Sequence, residues 1–237
     1  PSAHYMMGGI RTDADGAAVA GDGAGDAAQG ISGLFAAGQA MGGLFGANRL
    51  GSTSLTEGAV FGARAGRAAA ATAKGAKITP GDKREDGAFA ARIAETEQRF
   101  GQAGDQAAAM LKLDLQRESW INIGPVRTEE RISRMDGILD DLEARLDRVA
   151  IPDYADWNQA FIEFVELRNL IATARAVAAA ARERDGSLGG HVRLDKGQIS
   201  AFSQPYSTVI GKDATAALQV RRVARPRTPL KQLVAYK

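Results

Sequence analysis

The stretch Gly46-Ala47-Asn48-Arg49-Leu50-Gly51-Ser52-Thr53-Ser54-Leu55 sets one cation, a glycine-permitted turn and three hydroxyls ahead of a helix that continues through Thr56-Glu57-Gly58-Ala59-Val60-Phe61-Gly62. Gly42, Gly43, Gly46 and Gly51 let the backbone adopt positive φ or approach a ligand closely. A helix starting near Ser52 to Leu55 leaves its first N–H groups unpaired and its positive dipole end open. Such an end suits an anion or an electron-rich carbonyl. Arg49 adds a planar fork matched to a carboxylate. Upstream, Ser2-Ala3-His4-Tyr5-Met6-Met7-Gly8-Gly9-Ile10 forms a second polar cluster, and His4 brings a donor whose charge changes near neutral pH. Without further context, a lone arginine in such a loop is a surface ion-pair partner and a lone histidine a hydrogen-bonded bystander. On residue chemistry alone the reading stops at a glycine-rich anion site on an α/β scaffold.

Outward from that turn, the chain of 237 residues has room for one large domain or two small ones. It is 45% hydrophobic but only 6% aromatic, so its core is expected to use small side chains and closely packed helices. Cysteine is absent and the only histidines are His4 and His191. That excludes disulfides, thiolate metal sites and cluster ligation by this sequence, and no metal site is expected. No apolar run has the length of a bilayer span, and the start does not read as a signal peptide. The opening Pro1 lies inside a motif, so the sequence is expected to be the C-terminal part of a longer polypeptide.

Three segments follow from composition. Residues 1–80 read as short strands and turns, a brief buried strand at Leu34-Phe35-Ala36-Ala37, then the helix after Ser54 ending near Lys74-Gly75. Gly23-Ala24-Gly25-Asp26-Ala27-Ala28 loosely fits a dinucleotide fingerprint, but its Ala/Gly/Asp surroundings make it a turn. Ile78-Thr79-Pro80-Gly81-Asp82 is a linker. Residues 81–190 are helical, with helices over Phe89–Phe100 and Asp105–Ser119. Thr128 is the expected N-cap of a third helix, with Glu129 and Glu130 in its first turn. Its Ile132, Met135, Leu139, Leu142, Leu146 and Val149 form an a/d seam, read as bundle core. After Ile151-Pro152-Asp153, a last helix from about Trp157 to Arg184 carries Phe161, Phe164, Leu167, Ile171, Ala174 and Ala178. Residues 191–237 form a basic tail, with nine basic against two acidic side chains, while 76–190 carry 16 basic and 21 acidic. The tail lacks the aromatic interleaving of single-strand binders. Docking on an acidic partner or on its own middle segment is expected, rather than nucleic acid.

The motifs His4-Tyr5-Met6-Met7-Gly8-Gly9-Ile10 and Gly46 to Leu55, with Gly33-Leu34-Phe35-Ala36-Ala37-Gly38-Gln39 between them, resemble the flavoprotein subunit of succinate dehydrogenase and fumarate reductase and the related L-aspartate oxidases. The stretch Trp120 to Glu130, the helix Glu166-Leu167-Arg168-Asn169-Leu170-Ile171 and the loop Gly189-Gly190-His191-Val192-Arg193-Leu194-Asp195 are similar to further stretches of that family. The resemblance runs from His4 to about Asp195, and residues 196–237 match weakly. Departures are Gln39 where the family has Glu, Phe45 where a histidine is common, Thr53 for Asn, and Leu188 for Arg.

This resemblance implies an α/β fold followed by α: the end of an FAD-binding, Rossmann-like domain over 1–80 and a C-terminal helical bundle over 81–190. It implies FAD, with backbone groups at Ser54 and Leu55 on the flavin's pyrimidine edge and Gln39 on its ribityl hydroxyls. His4 and Arg49 would clamp a succinate or fumarate exchanging hydride with the flavin. The family's proton-donating arginine lies upstream, so no general acid is assigned. An iron–sulfur partner subunit is implied, with a membrane reached only through an anchor subunit and a cytoplasmic place peripheral to the inner face. L-Aspartate oxidase is the alternative enzyme, and a non-catalytic helical interaction module the alternative of another class.

Overall fold

The computed structural model describes residues 5–20, 29–76, 83–154, 156–200, 203–213, 215 and 217–225. His4, the fingerprint-like run at 23–28 and the whole linker at 78–82 lie outside the described residues.

The first part is built on close backbone approach. Strands β1 (Ala17–Ala20) and β2 (Gln29–Phe35) form an antiparallel hairpin. The expected strand at 34–37 is thus the end of a longer one; Phe35 closes it, and Ala36 is buried by donating to Gly16 O at 2.8 Å. Ile10 bridges in parallel to Met41, with Ile10 N on Ala40 O at 2.8 Å and Gly42 N on Ile10 O at 2.9 Å. Only glycine fits that crossing: a Cβ on Gly9 would lie 2.5 Å from Ala40 O, and one on Gly42 2.7 Å from Gly9 N. Helix α1 (Thr53–Gly75) matches the expected span. Its buried Ala65 lies where a Cβ on Gly16 would collide at 2.7 Å, so the helix rests on the hairpin.

The second part is helical. Helix α2 (Lys83–Glu97) precedes α3 (Ala108–Ile123), α4 (Glu129–Arg145) and α5 (Gln159–Glu183). The expected helix at 89–100 starts earlier and ends three residues sooner, because Gln98 to Gly101 close as a turn; that at 105–119 is shifted toward Ile123. Thr128 Oγ1 accepts from Arg131 N at 3.2 Å, as an N-cap should. Asn158 caps α5 by accepting from Phe161 N at 3.0 Å while donating to Pro152 O and Tyr154 O. All six seam residues of α4 and the turn after it are buried, against Leu111 and Leu115 of α3 and Phe164, Leu167 and Ile171 of α5. Further along α5 the core narrows to Ala174, Ala178 and Ala181, where small side chains let helices approach.

The described residues of the 191–237 segment do not form a simple tail. Val192–Arg193 (β4) pairs in parallel with Val126–Arg127 (β3), and Tyr206–Lys212 (β5) pairs antiparallel with Leu218–Ala224 (β6). The hairpin docks on the end of α5: Arg222 bonds Glu183 at 2.6 Å and Asp185 at 2.6 Å, and Arg184 and Arg222 sit over the Tyr206 ring. Part of the basic excess therefore lies against the acidic middle segment. The run of β-branched residues Thr208-Val209-Ile210, with Val220 and Val223 after it, was the available strand signal.

Candidate functional site: the glycine-rich turn and its helical cap

The Ile10–Met41 bridge brings the two polar clusters of the sequence together. Gly43 and Gly46 take positive φ in the turn between them, at 97° and 60°. Gly51 does not; Ser52, at φ 66°, makes the left-handed step before α1 instead. Thr53 Oγ1 donates to Leu50 O at 2.7 Å, so one of the three hydroxyls closes the turn. The first turn of α1 carries no acidic side chain, which leaves its positive end unneutralised.

Arg49 leans back onto this helix start. Its Nη1 donates to Ser54 Oγ at 3.1 Å and to Leu50 O at 3.4 Å, and its backbone N–H bonds Asn48 Oδ1 at 3.0 Å. The guanidinium lies over the Tyr5 ring, 5.0 Å from its centre, close enough for a cation–π attraction. Phe45 meets Tyr5 edge-on at 5.4 Å and 82°. The Tyr5 hydroxyl donates to Glu57, which is 3% exposed. Burial first, then the Glu57 bond and charge, push the Tyr5 hydroxyl up to about 12. Of the residues expected to face a flavin, Ser54 is half-buried under Arg49, Leu55 is 80% exposed and Gln39 is exposed on a short turn. Leu55 N already reaches Ser52 O, but at a long 3.3 Å. Tyr5, Phe45 and Glu57 were missed as site residues; Tyr5 stood inside a quoted motif, and a lone acid among small helix residues marked Glu57.

The loop Gly189 to Asp195 joins this turn to the bundle. Gly190 N donates to Ala47 O at 3.0 Å. Gly189 has φ +59° and no room for a side chain, since a Cβ would lie 2.2 Å from Ala47 O. Behind it Arg193, fully buried, bonds both Asp195 oxygens at 2.8 Å, Ala181 O at 3.1 Å and Glu129 at 3.2 Å. Glu129 also holds Arg182, and its backbone N–H bonds Asp195 at 2.8 Å. Arg127 reaches Ile123 O and donates to Nδ1 of His191. Burial, and then the charges of Arg127, Arg184 and Arg193, push His191 down to about 4; the ring is neutral with its proton on Nε2. Burial and the Arg193 charge bring Arg127 down to about 10. No group of acidic or histidine side chains among the described residues could hold a metal ion. No described helix is long and apolar enough to cross a membrane.

Residues 1–55 match the family described as FAD binding domain, and residues 112–232 the family described as fumarate reductase flavoprotein C-term. The 8-methylmenaquinol:fumarate reductase flavoprotein subunit of Wolinella succinogenes is 35% identical over 82% of this chain and 31% of its own length. The succinate dehydrogenase flavoprotein subunit of Coxiella burnetii is 34% identical over 82% of the chain and 33% of its own length. A solved Escherichia coli quinol fumarate reductase chain superposes with a TM-score of 0.80 at 30% identity, covering 97% of this chain and 38% of that one. The fold is therefore the end of a flavin-binding α/β domain followed by a helical domain, which defines a class of flavoproteins. Within that class, the chain belongs to the succinate dehydrogenase and fumarate reductase flavoprotein family. It spans about a third of the length of the curated relatives it matches. The family match runs to 232, so the weak resemblance expected beyond Asp195 is corrected: the β5–β6 hairpin belongs to the shared fold.

Proposed function

We propose that this chain forms the substrate-facing end of an FAD site at which succinate and fumarate are interconverted. The observation that carries the reading is the Ile10–Met41 crossing, which delivers Tyr5 to Arg49 at the start of α1. FAD suits the residues present: a helix start without acidic side chains, flanked by exposed Leu50 and Leu55, offers N–H donors beside apolar surface. Backbone groups of Ser54 and Leu55 would hold the pyrimidine edge. The Gln39 amide would bond ribityl hydroxyls with less charge assistance than a carboxylate. When bound, FAD gives or takes hydride at N5.

The work of the chain itself is to hold the dicarboxylate. The Arg49 fork binds one carboxylate in a fixed plane. His4, assigned from its motif, binds the other. Two cationic or polar clamps both place the substrate and draw electron density from its central carbons, which favours hydride arrival. The names of the relatives, subunits of quinol-linked and succinate-oxidising enzymes, support an iron–sulfur subunit as electron partner. A place at the inner face of a membrane, reached through an anchor subunit, belongs to the same reading. The test is anaerobic spectroscopy of the full-length flavoprotein: succinate should bleach the flavin and fumarate restore it. Bleaching by L-aspartate alone would move the chain to the aspartate oxidases, and no response to any dicarboxylate would overturn the proposal.

A further inference from the structure

The β5–β6 hairpin makes contacts from both of its faces. Its ladder pairs Tyr206 with Ala224 and Ser207 with Val223, and side chains alternate between the faces along each strand. Arg222 lies on one face and reaches Glu183 and Asp185 at the end of α5. Arg225 lies on the other, diagonal to Ser207, whose hydroxyl accepts from Arg225 Nε at 2.7 Å. The backbone there is tied too: Arg225 N donates to Pro205 O at 2.8 Å, and its carbonyl accepts from Gln204 Nε2 at 2.9 Å. Held in this way, the guanidinium lies over the glycine-rich turn. A Cβ built on Gly43 would stand 3.0 Å from Arg225 Nη2.

Two backbone bonds pin that turn to its surroundings, Gly42 N on Ile10 O and Gly190 N on Ala47 O. Between the pins run Gly43, Leu44, Phe45 and Gly46, and both glycines have positive φ. Glycine has the most conformational freedom to lose, yet this stretch sets where Asn48 and Arg49 stand. We propose that Arg225 is a positioning residue for the dicarboxylate site: held by Ser207, its guanidinium steadies Gly43 and with it the turn that carries Arg49. The inference rests on the reading of that turn as the substrate-facing end of the FAD site. Arg225 does not touch the substrate in this scheme. Its contact with the turn is small, but a clamp misplaced by about 1 Å can lose about a hundredfold in rate.

The experiment uses the full-length flavoprotein with confirmed flavin loading. Binding of malonate, a dicarboxylate that cannot be oxidised, is followed by the flavin absorbance change, and hydrogen exchange is read at 43–49. Arg225→Ala should weaken malonate about tenfold, and Ser207→Ala, which removes one oxygen, about threefold. Each should speed exchange at 43–49 while the urea midpoint stays at the wild-type value. The two together should cost no more than Arg225→Ala alone, because the hydroxyl acts only by holding that guanidinium. Wild-type malonate affinity in Arg225→Ala would overturn the inference, as would additive losses in the double variant. Lost malonate affinity with wild-type exchange at the turn would overturn it as well, since the guanidinium would then meet the ligand directly. If the wild-type protein binds no dicarboxylate, the reading of the turn as a substrate site falls, and the exchange data separately decide whether Arg225 holds the turn.

Discussion

Arg49 and Arg193 both stand in loops rich in small residues, yet their surroundings separate them. Arg193 is fully buried, with Asp195, Glu129 and the Ala181 carbonyl around its guanidinium; it is structural. Arg49 is half-buried, and a hydroxyl, a carbonyl and an aromatic face stand against it. That difference carries the prediction that Arg49→Lys, which keeps the charge and loses the fork, lowers kcat/KM for succinate and fumarate by about thirtyfold to a thousandfold. This is the kinetic equivalent of about 2–4 kcal/mol of lost bidentate contact. Flavin content should remain at the wild-type level; full turnover in a flavin-loaded variant would refute the assignment. His191 supplies a pH prediction. Its pKa falls from 6.5 to about 4 on folding, so between those values the unfolded chain binds a proton that the native ring refuses. Stability is full above about pH 6.5 and declines as pH falls toward 4. Asp195 and Glu129 are held low by their arginine partners, so their contribution is full above the ordinary carboxylate range and is lost progressively as pH falls from there to the depressed values. Urea midpoints measured from pH 7 to 5 should fall, and His191→Asn should flatten that slope.

At the scale of elements, helix α4 was the most legible part of the chain. Its seam repeats at three- and four-residue steps, its cap is a threonine followed by two acids, and the structure has all of these. Such signals are local: a helix's buried face and its start are both written in consecutive residues. Leu139, 0% exposed at the centre of that seam, should lose about 2–5 kcal/mol on replacement by alanine, read from urea melts, since α3 and α5 close round it on both sides. A loss under half a kcal/mol would mean the seam is not core. Less was legible where an element gains its place from distant residues. The β5–β6 hairpin reads as a basic tail because its docking depends on Arg222 finding Glu183 and Asp185 at the far end of α5. The site shows the same division. Arg49 and Ser54 are five positions apart and could be read together, whereas the Tyr5–Glu57 bond spans 52 positions and nothing local announces it.

At the scale of the whole molecule, the loop from Gly189 to Asp195 lies against the Gly46 to Arg49 turn. On one side the loop is anchored deep in the bundle by Arg193; on the other, Gly190 N holds Ala47 O. The bundle thus acts as a fixed wall that keeps the turn, and with it Arg49, in one place. Gly189 is the contact point, and it is glycine for two separate reasons. Its φ of +59° costs a side-chain-bearing residue about 1–2 kcal/mol, and a Cβ would press into Ala47 O at 2.2 Å. Gly189→Ala therefore has to break the junction rather than deform it. Helical content should stay unchanged, because what a Cβ on Gly189 meets is Ala47, outside the helices. Hydrogen exchange at 46–50 should accelerate, and malonate affinity should fall, as the turn loses its wall. Gly137→Ala is the matched control: it lies inside α4, is exposed, and a Cβ there meets nothing within 4 Å. The same substitution at that position should stabilise the protein by about 0.5–1 kcal/mol through helix propensity and leave malonate binding alone. If Gly189→Ala binds malonate as tightly as Gly137→Ala does, the helical part does not hold the site in place.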